Sequence, residues 1–136
     1  MQTTFADRDL CRLSVMLLRE GVEVVRAAGI ELGSLPGFPR ERIEALVSLP
    51  VEQAAAILGK TLTGLSQEPL YGSILQSIRR GKKSEIDFIN GEIVHIAEQN
   101  GLQAPLNEKL CALLHDVEQS GRFLSADQVK QAYALD

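Results

Sequence analysis

The sequence predicts an all-α fold, a single helical bundle of about six or seven helices. Three observations carry that expectation. Apolar residues recur with the helical period almost everywhere, several helix starts carry capping signatures, and no stretch alternates apolar and polar residues between hairpin turns. The first helix covers about residues 7–28, with Leu10, Leu13, Leu17 and Val24 on one stripe that Leu18 and Val25 widen. Gly29 ends it, because glycine adopts the left-handed conformation at least cost. Gly33, Pro36, Gly37 and Pro39 then make an irregular connection. A short helix follows over about 40–47. The next begins near Pro50, carries Val51, Ala54, Ala55, Leu58 and Leu62, and fades at Gly64. Residues 65–72 read as a loop broken by Pro69, and a short helix over about 73–80 holds Ile74, Leu75 and Ile78.

The remaining helix starts are better marked. Ser84 and Asp87 have the spacing of a capping box, and the helix behind them places Ile86, Ile89, Ile93 and Ile96 on one expected core face before Gly101. Asn107 is expected to cap the helix that carries Leu110, Leu113, Leu114 and Val117. Ser125 and Gln128 form a second capping box, with Leu124 and Val129 placed as a hydrophobic staple.

Composition narrows the function classes. A chain of 136 residues hides roughly two thirds of its unfolded surface, enough for a core without metal or disulfide staples. With 4% aromatic residues, that core must be built from Leu, Ile, Val and Ala. A hydrophobic share of 45% excludes a disordered chain. Fourteen Lys and Arg against eighteen Asp and Glu leave a net charge of −4, which argues against a nucleic-acid partner. The N-terminus carries Asp7, Arg8 and Asp9 and lacks a signal-peptide pattern. The apolar run Val15–Leu18 stops at Arg19 and Glu20, far short of a membrane span. The expected compartment is the cytoplasm, with Cys11 and Cys111 as reduced core or boundary thiols.

Most catalytic constellations fail at the sequence. His95 and His115 lack partners at metal-ligand spacing and read as helix-surface or boundary residues, so no metal is expected. There is no Gly-x-Ser-x-Gly elbow and no Gly-x-Gly-x-x-Gly turn. Arg79, Arg80, Lys82 and Lys83 form the only basic run. It reads as a solvated turn, or as a patch drawing a small anion to the helix start that follows. Ser73 and Glu85 stand at the starts of the two flanking helices, where both are also ordinary stabilising choices. The residues alone lead to a helical domain with a small anionic site around 73–85.

The run Lys83-Ser84-Glu85-Ile86-Asp87-Phe88-Ile89-Asn90-Gly91, followed by Gly101, Ala104-Pro105 and Asn107, is more specific. It closely resembles the C-terminal helical domain of ketopantoate reductases, within the group of 6-phosphogluconate-dehydrogenase-like reductases. Ser73 and Leu75 match the family's Ser-x-Leu/Met positions, and Arg19-Glu20 with Ala27-Ala28-Gly29 match more loosely. The resemblance spans nearly the whole chain and is most specific from Ser73 to Asn107.

The resemblance implies a domain that closes over ketopantoate in an enzyme whose N-terminal Rossmann half holds NADPH. It implies that Ser73 binds the substrate, through its carboxylate, and that Glu85 contacts the cofactor. Asp87 and Asn90 are expected to hold the motif's helix together. Both ligand contacts suit the residue types, since a hydroxyl donates to a carboxylate and a glutamate accepts from ribose hydroxyls. The family's proton donor is a lysine followed four residues later by an asparagine. Lysines here stand at 60, 82, 83, 109 and 130, and none has that asparagine. No catalytic residue is therefore assigned, residues 1–136 are expected to form the substrate-side domain without its Rossmann half, and the chain alone is expected to be inactive. Ser73 and Glu85 are expected to face one depression margined by residues 79–83. Missing partners would leave apolar surface for a homodimer to cover. The competing readings are a stand-alone helical dimerisation or regulatory module, and a reductase domain for another 2-oxo acid.

Overall fold

The computed structural model describes residues 6–34, 39–63 and 73–135. Seven α-helices and no strand occur among them: α1 (Arg8–Ala27), α2 (Arg40–Ser48), α3 (Val51–Thr63), α4 (Ser73–Arg79), α5 (Ile86–Gln99), α6 (Pro105–Ser120) and α7 (Ala126–Ala132). The expected loop at 65–72 and part of the Gly/Pro connection, residues 35–38, lie outside the described residues.

Helix α1 is the centre of the bundle, packing against α2, α3, α5, α6 and α7. That many neighbours require more than one apolar stripe. Val15 and Val22 are buried beside Leu10, Leu13 and Val24. One core joins Cys11 and Val15 of α1 to Leu46 of α2 and Ala54 and Ala55 of α3. A second joins Val24 to Ala97 and Ala104, with Ile93, Val94 and Ile96 against them. The thiols of Cys11 and Cys111 are both buried and not joined in a disulfide, and burial pushes both pKa values up.

Polar side chains then fix the packing. The Asp7 carboxylate caps α1 by accepting from the amides of Asp9 and Leu10, and it also takes the Lys130 ammonium of α7 at 2.6 Å. Arg19 donates to the carbonyls of Leu46 and Leu49, closing the end of α2 against α1. Gly29 ends α1 with φ +76°, a conformation glycine adopts without strain. The Ser125–Gln128 capping box is formed in both directions at the start of α7.

Two local expectations are corrected. Ile89 lies 48% exposed, whereas Ile86 is buried and Ile93 packs inward. At 100° per residue the four isoleucines centre about 50° away from the face that turns inward. That inward face runs through Ile86, Asn90, Ile93 and Ala97, because Asn90 must reach Asn107 and the small Ala97 admits Val24. The second correction is that Asn107 does not cap α6. The helix begins at Pro105, Ala104 is its N-cap, and Asn107 lies inside the first turn with 1% exposure.

Candidate functional site

The first turn of α6 is capped from across the bundle. The Glu20 carboxylate accepts from the amides of Leu106 (3.0 Å) and Asn107 (2.8 Å) and from the Asn107 Nδ2 (2.6 Å). An acid at a helix start also meets the positive end of the dipole. Asn107 in turn accepts from Asn90 Nδ2 at 2.7 Å. Glu20, Asn107 and Asn90 thus lock α1, α6 and α5 together through a chain of satisfied polar contacts. Tyr133 joins the same region: its hydroxyl donates to the Leu106 carbonyl, and burial, with Glu20 nearby, pushes its pKa up to about 12.

This lock supports the segment that carries Ser84 and Glu85. Ser84 is buried, and its amide donates to Glu118 Oε1 of α6 at 2.7 Å. The Ser84 hydroxyl and amide hold the Glu118 carboxyl below the usual glutamate range. The expected Ser84–Asp87 box does not form. The Ser84 hydroxyl accepts, at a long 3.4 Å, from the amide of Ile86, and the Asp87 carboxylate pairs with His115 Nε2 at 2.7 Å. Glu118 accepts from the Ser84 amide in the place a local box would give Asp87, and His115 holds the Asp87 carboxylate away from it, because α6 runs alongside.

A polar depression of about 350 Å³ opens here, lined among others by Gly81, Lys82, Lys83, Asp87, His115 and Glu118. Gly81, with φ +68°, turns the chain so that the two lysines border it. Glu85 is the N-cap of α5 and is exposed, and its carboxylate makes no capping hydrogen bond. It is therefore available to an outside donor, but it is not among the described residues lining that depression. Ser73 is the first residue of α4, and its side chain lies outside the described residues. Whether Ser73 and Glu85 share one depression falls outside them too. Among the described residues, no group of three or more His, Cys, Asp and Glu is placed to hold a metal ion. No described helix is long and apolar enough to cross a membrane.

The lock and the Asp87–His115 pair escaped sequence reasoning. Glu20 sits 86 residues before Leu106, and Asp87 sits 28 before His115. The one available hint was the loose family match at Arg19-Glu20.

Residues 1–118 match the family model described as "Ketopantoate reductase PanE/ApbA C terminal". The chain belongs to that family. Curated relatives support this over a shorter stretch. A 2-dehydropantoate 2-reductase of Pyrococcus horikoshii is 53% identical over 51 residues, 38% of this chain and 17% of the relative. The enzyme of the same name from Pyrococcus abyssi is 50% identical over 48 residues, 35% of this chain and 16% of the relative. That of Archaeoglobus fulgidus is 44% identical over 46 residues, 34% of this chain and 16% of the relative. The matched stretch is thus about a sixth of each relative's length. No solved structure matches the chain.

Proposed function

We propose that this chain is the substrate-side helical half of an NADPH-dependent ketopantoate reductase. It works in the cytoplasm, on the reduction of ketopantoate to pantoate that leads to pantothenate and coenzyme A. The observation that carries the reading is the family match over residues 1–118, which takes in both Ser73 and Glu85. Bound NADPH supplies the hydride. Among the described residues no strand leads into a helix, so the contribution they offer to the dinucleotide is the exposed Glu85 carboxylate, accepting from ribose hydroxyls. The Ser73 hydroxyl donates to the substrate carboxylate. Lys82 and Lys83, which border the polar depression together with Asp87 and Glu118, are the cations this reading assigns to drawing in an anionic substrate. The buried Ser84 and the Glu118 contact hold the intervening turn in place. No lysine here carries the family's asparagine four residues on, so the carbonyl oxygen takes its proton from a residue outside residues 1–136. A homodimer is the association state we propose, since Ile57, Phe123 and Leu124 are exposed apolar surface.

The chain by itself mixed with NADPH and ketopantoate is expected to show no cofactor oxidation above background, with weak pantoate binding that Ser73→Ala abolishes. Joined behind the part of the Pyrococcus horikoshii relative that precedes the equivalent region, it is expected to reduce ketopantoate in preference to other 2-oxo acids. A joined protein that prefers another 2-oxo acid would reassign the substrate. Full turnover by the chain alone, or a Ser73→Ala protein with unchanged KM, would refute the assignment.

A further inference from the structure

Glu118 stands in the last turn of α6, where an acid meets the negative end of the helix dipole and gains nothing locally. Its carboxylate instead crosses to the stretch between α4 and α5. There the amides of Gly81 and Lys82 close α4 on the carbonyls of Ile78 and Ser77, α5 starts at Ile86, and residues 83–85 belong to neither helix. Ser84, in the middle of the three, is 7% exposed and gives its amide to Glu118 at 2.7 Å. Ile86, 1% exposed, anchors the following turn in the core. Glu85 is thus an exposed residue between two buried neighbours, one pinned by α6 and one by packing. Its own carboxylate makes no capping bond, so the direction it takes is set by these flanking anchors.

We propose that Glu118 is a positioning residue of the reductase: by holding Ser84 it fixes the backbone of Glu85, and with it the place where the Glu85 carboxylate meets the cofactor ribose. The proposal rests on the functional reading of Glu85 above and adds the residue that aims it. A carboxylate suits the task, because it accepts from both the amide and the hydroxyl of Ser84. Two bonds from one acceptor group to one residue resist rotation of the turn, which a single bond would allow. Asp87, on the far side of Glu85, pairs with His115, one turn before Glu118 on the same helix. Helix α6 therefore grips the segment on both sides of Glu85. The ribose contact lies away from the transferred hydride, so losing its alignment weakens ground and transition states alike. The effect of Glu118 belongs in the affinity for NADPH and not in the rate of the chemical step.

The test is a double-mutant cycle in the joined two-domain protein, read as KM and kcat for NADPH. Glu118→Ala is expected to raise that KM about tenfold and leave kcat nearly unchanged. Glu118→Gln, whose side-chain carbonyl still accepts from the Ser84 amide, is expected to restore the wild-type KM. In a Glu85→Ala background, Glu118→Ala is expected to add nothing, since it acts through a carboxylate already removed. Val15→Ala, in the core between α1, α2 and α3, is the control for instability alone. Loss of folded protein lowers its apparent kcat and leaves its KM where it was. A KM that rises with Glu85→Ala but not with Glu118→Ala, or two effects that add in full, overturns the positioning role and leaves the reading of Glu85 standing. An unchanged KM in Glu85→Ala overturns that reading and this proposal with it. The chain alone provides a second measurement: Glu118→Ala is expected to shift the backbone amide resonances of Ser84 and Glu85. A Glu85 resonance that does not move overturns the proposal whatever the kinetics.

Discussion

Glu20 does for α6 what a local N-cap does elsewhere, with a full charge and three donors. Replacing it with Ala leaves the amides of Leu106 and Asn107 and the buried Asn107 side chain short of an acceptor. The expected loss is about 2–3 kcal/mol, since buried donors deprived of a charged partner carry the full desolvation cost. Glu20→Gln, which keeps one carbonyl oxygen, should lose less, and urea unfolding of the two variants checks the order. Glu118 supports the neighbouring turn in a way that depends on pH. Its carboxyl is held below its usual value by the Ser84 hydroxyl and amide. A depressed folded pKa means that the contribution is complete above the unfolded value, about 4.3, and fades as pH falls through the lower folded value. The gap in unfolding midpoint between the wild type and Glu118→Gln should therefore be widest near neutrality and close in acid. A gap that stays constant down to about pH 3 would contradict this assignment of the shift.

Helix α5 separates two kinds of isoleucine. Ile86→Ala, at a site with 1% exposure, should cost about 2–5 kcal/mol if its surroundings do not collapse. Ile89→Ala should stay within about 0.5 kcal/mol, as surface substitutions do. Thermal or urea denaturation of the pair decides which side faces in. The existence of every described helix was legible in the sequence, because an amphipathic repeat and glycine or serine punctuation are local signals. The rotation of α5 was not, since four isoleucines define an arc and the bond from Asn90 to Asn107 selects a direction away from its centre. The start of α6 was misplaced for a related reason: a polar residue near a helix start looks like a cap, while the true cap is a carboxylate on another helix. Within the candidate site, Ser73 and Glu85 were legible only through the spacing of a family motif. The Asp87–His115 and Ser84–Glu118 contacts depend on α6 lying beside α5, which no local pattern states.

At the scale of the molecule, the exposed apolar residues on α3, on α5 and after α6 give the surface its character. The chain is expected to sediment as a dimer at tens of micromolar, and a clean monomer there would count against the homodimer. The bundle is also built from parts that meet at different distances along the chain. Helices α5 and α6 are joined by the few residues between Gln99 and Pro105 and can pair early. Contacts between near neighbours close at a smaller entropic cost than distant ones. The carboxylate of Glu20 has to find a turn 86 residues away. Helix α1 is thus expected to dock onto an α5–α6 hairpin already formed, with the Glu20 bridge closing after the folding barrier. Its loss then falls on the unfolding rate and leaves the folding rate nearly unchanged. The carboxylate that orders the native bundle acts in time as a latch, setting how long the folded protein lasts and having little part in how fast it arises.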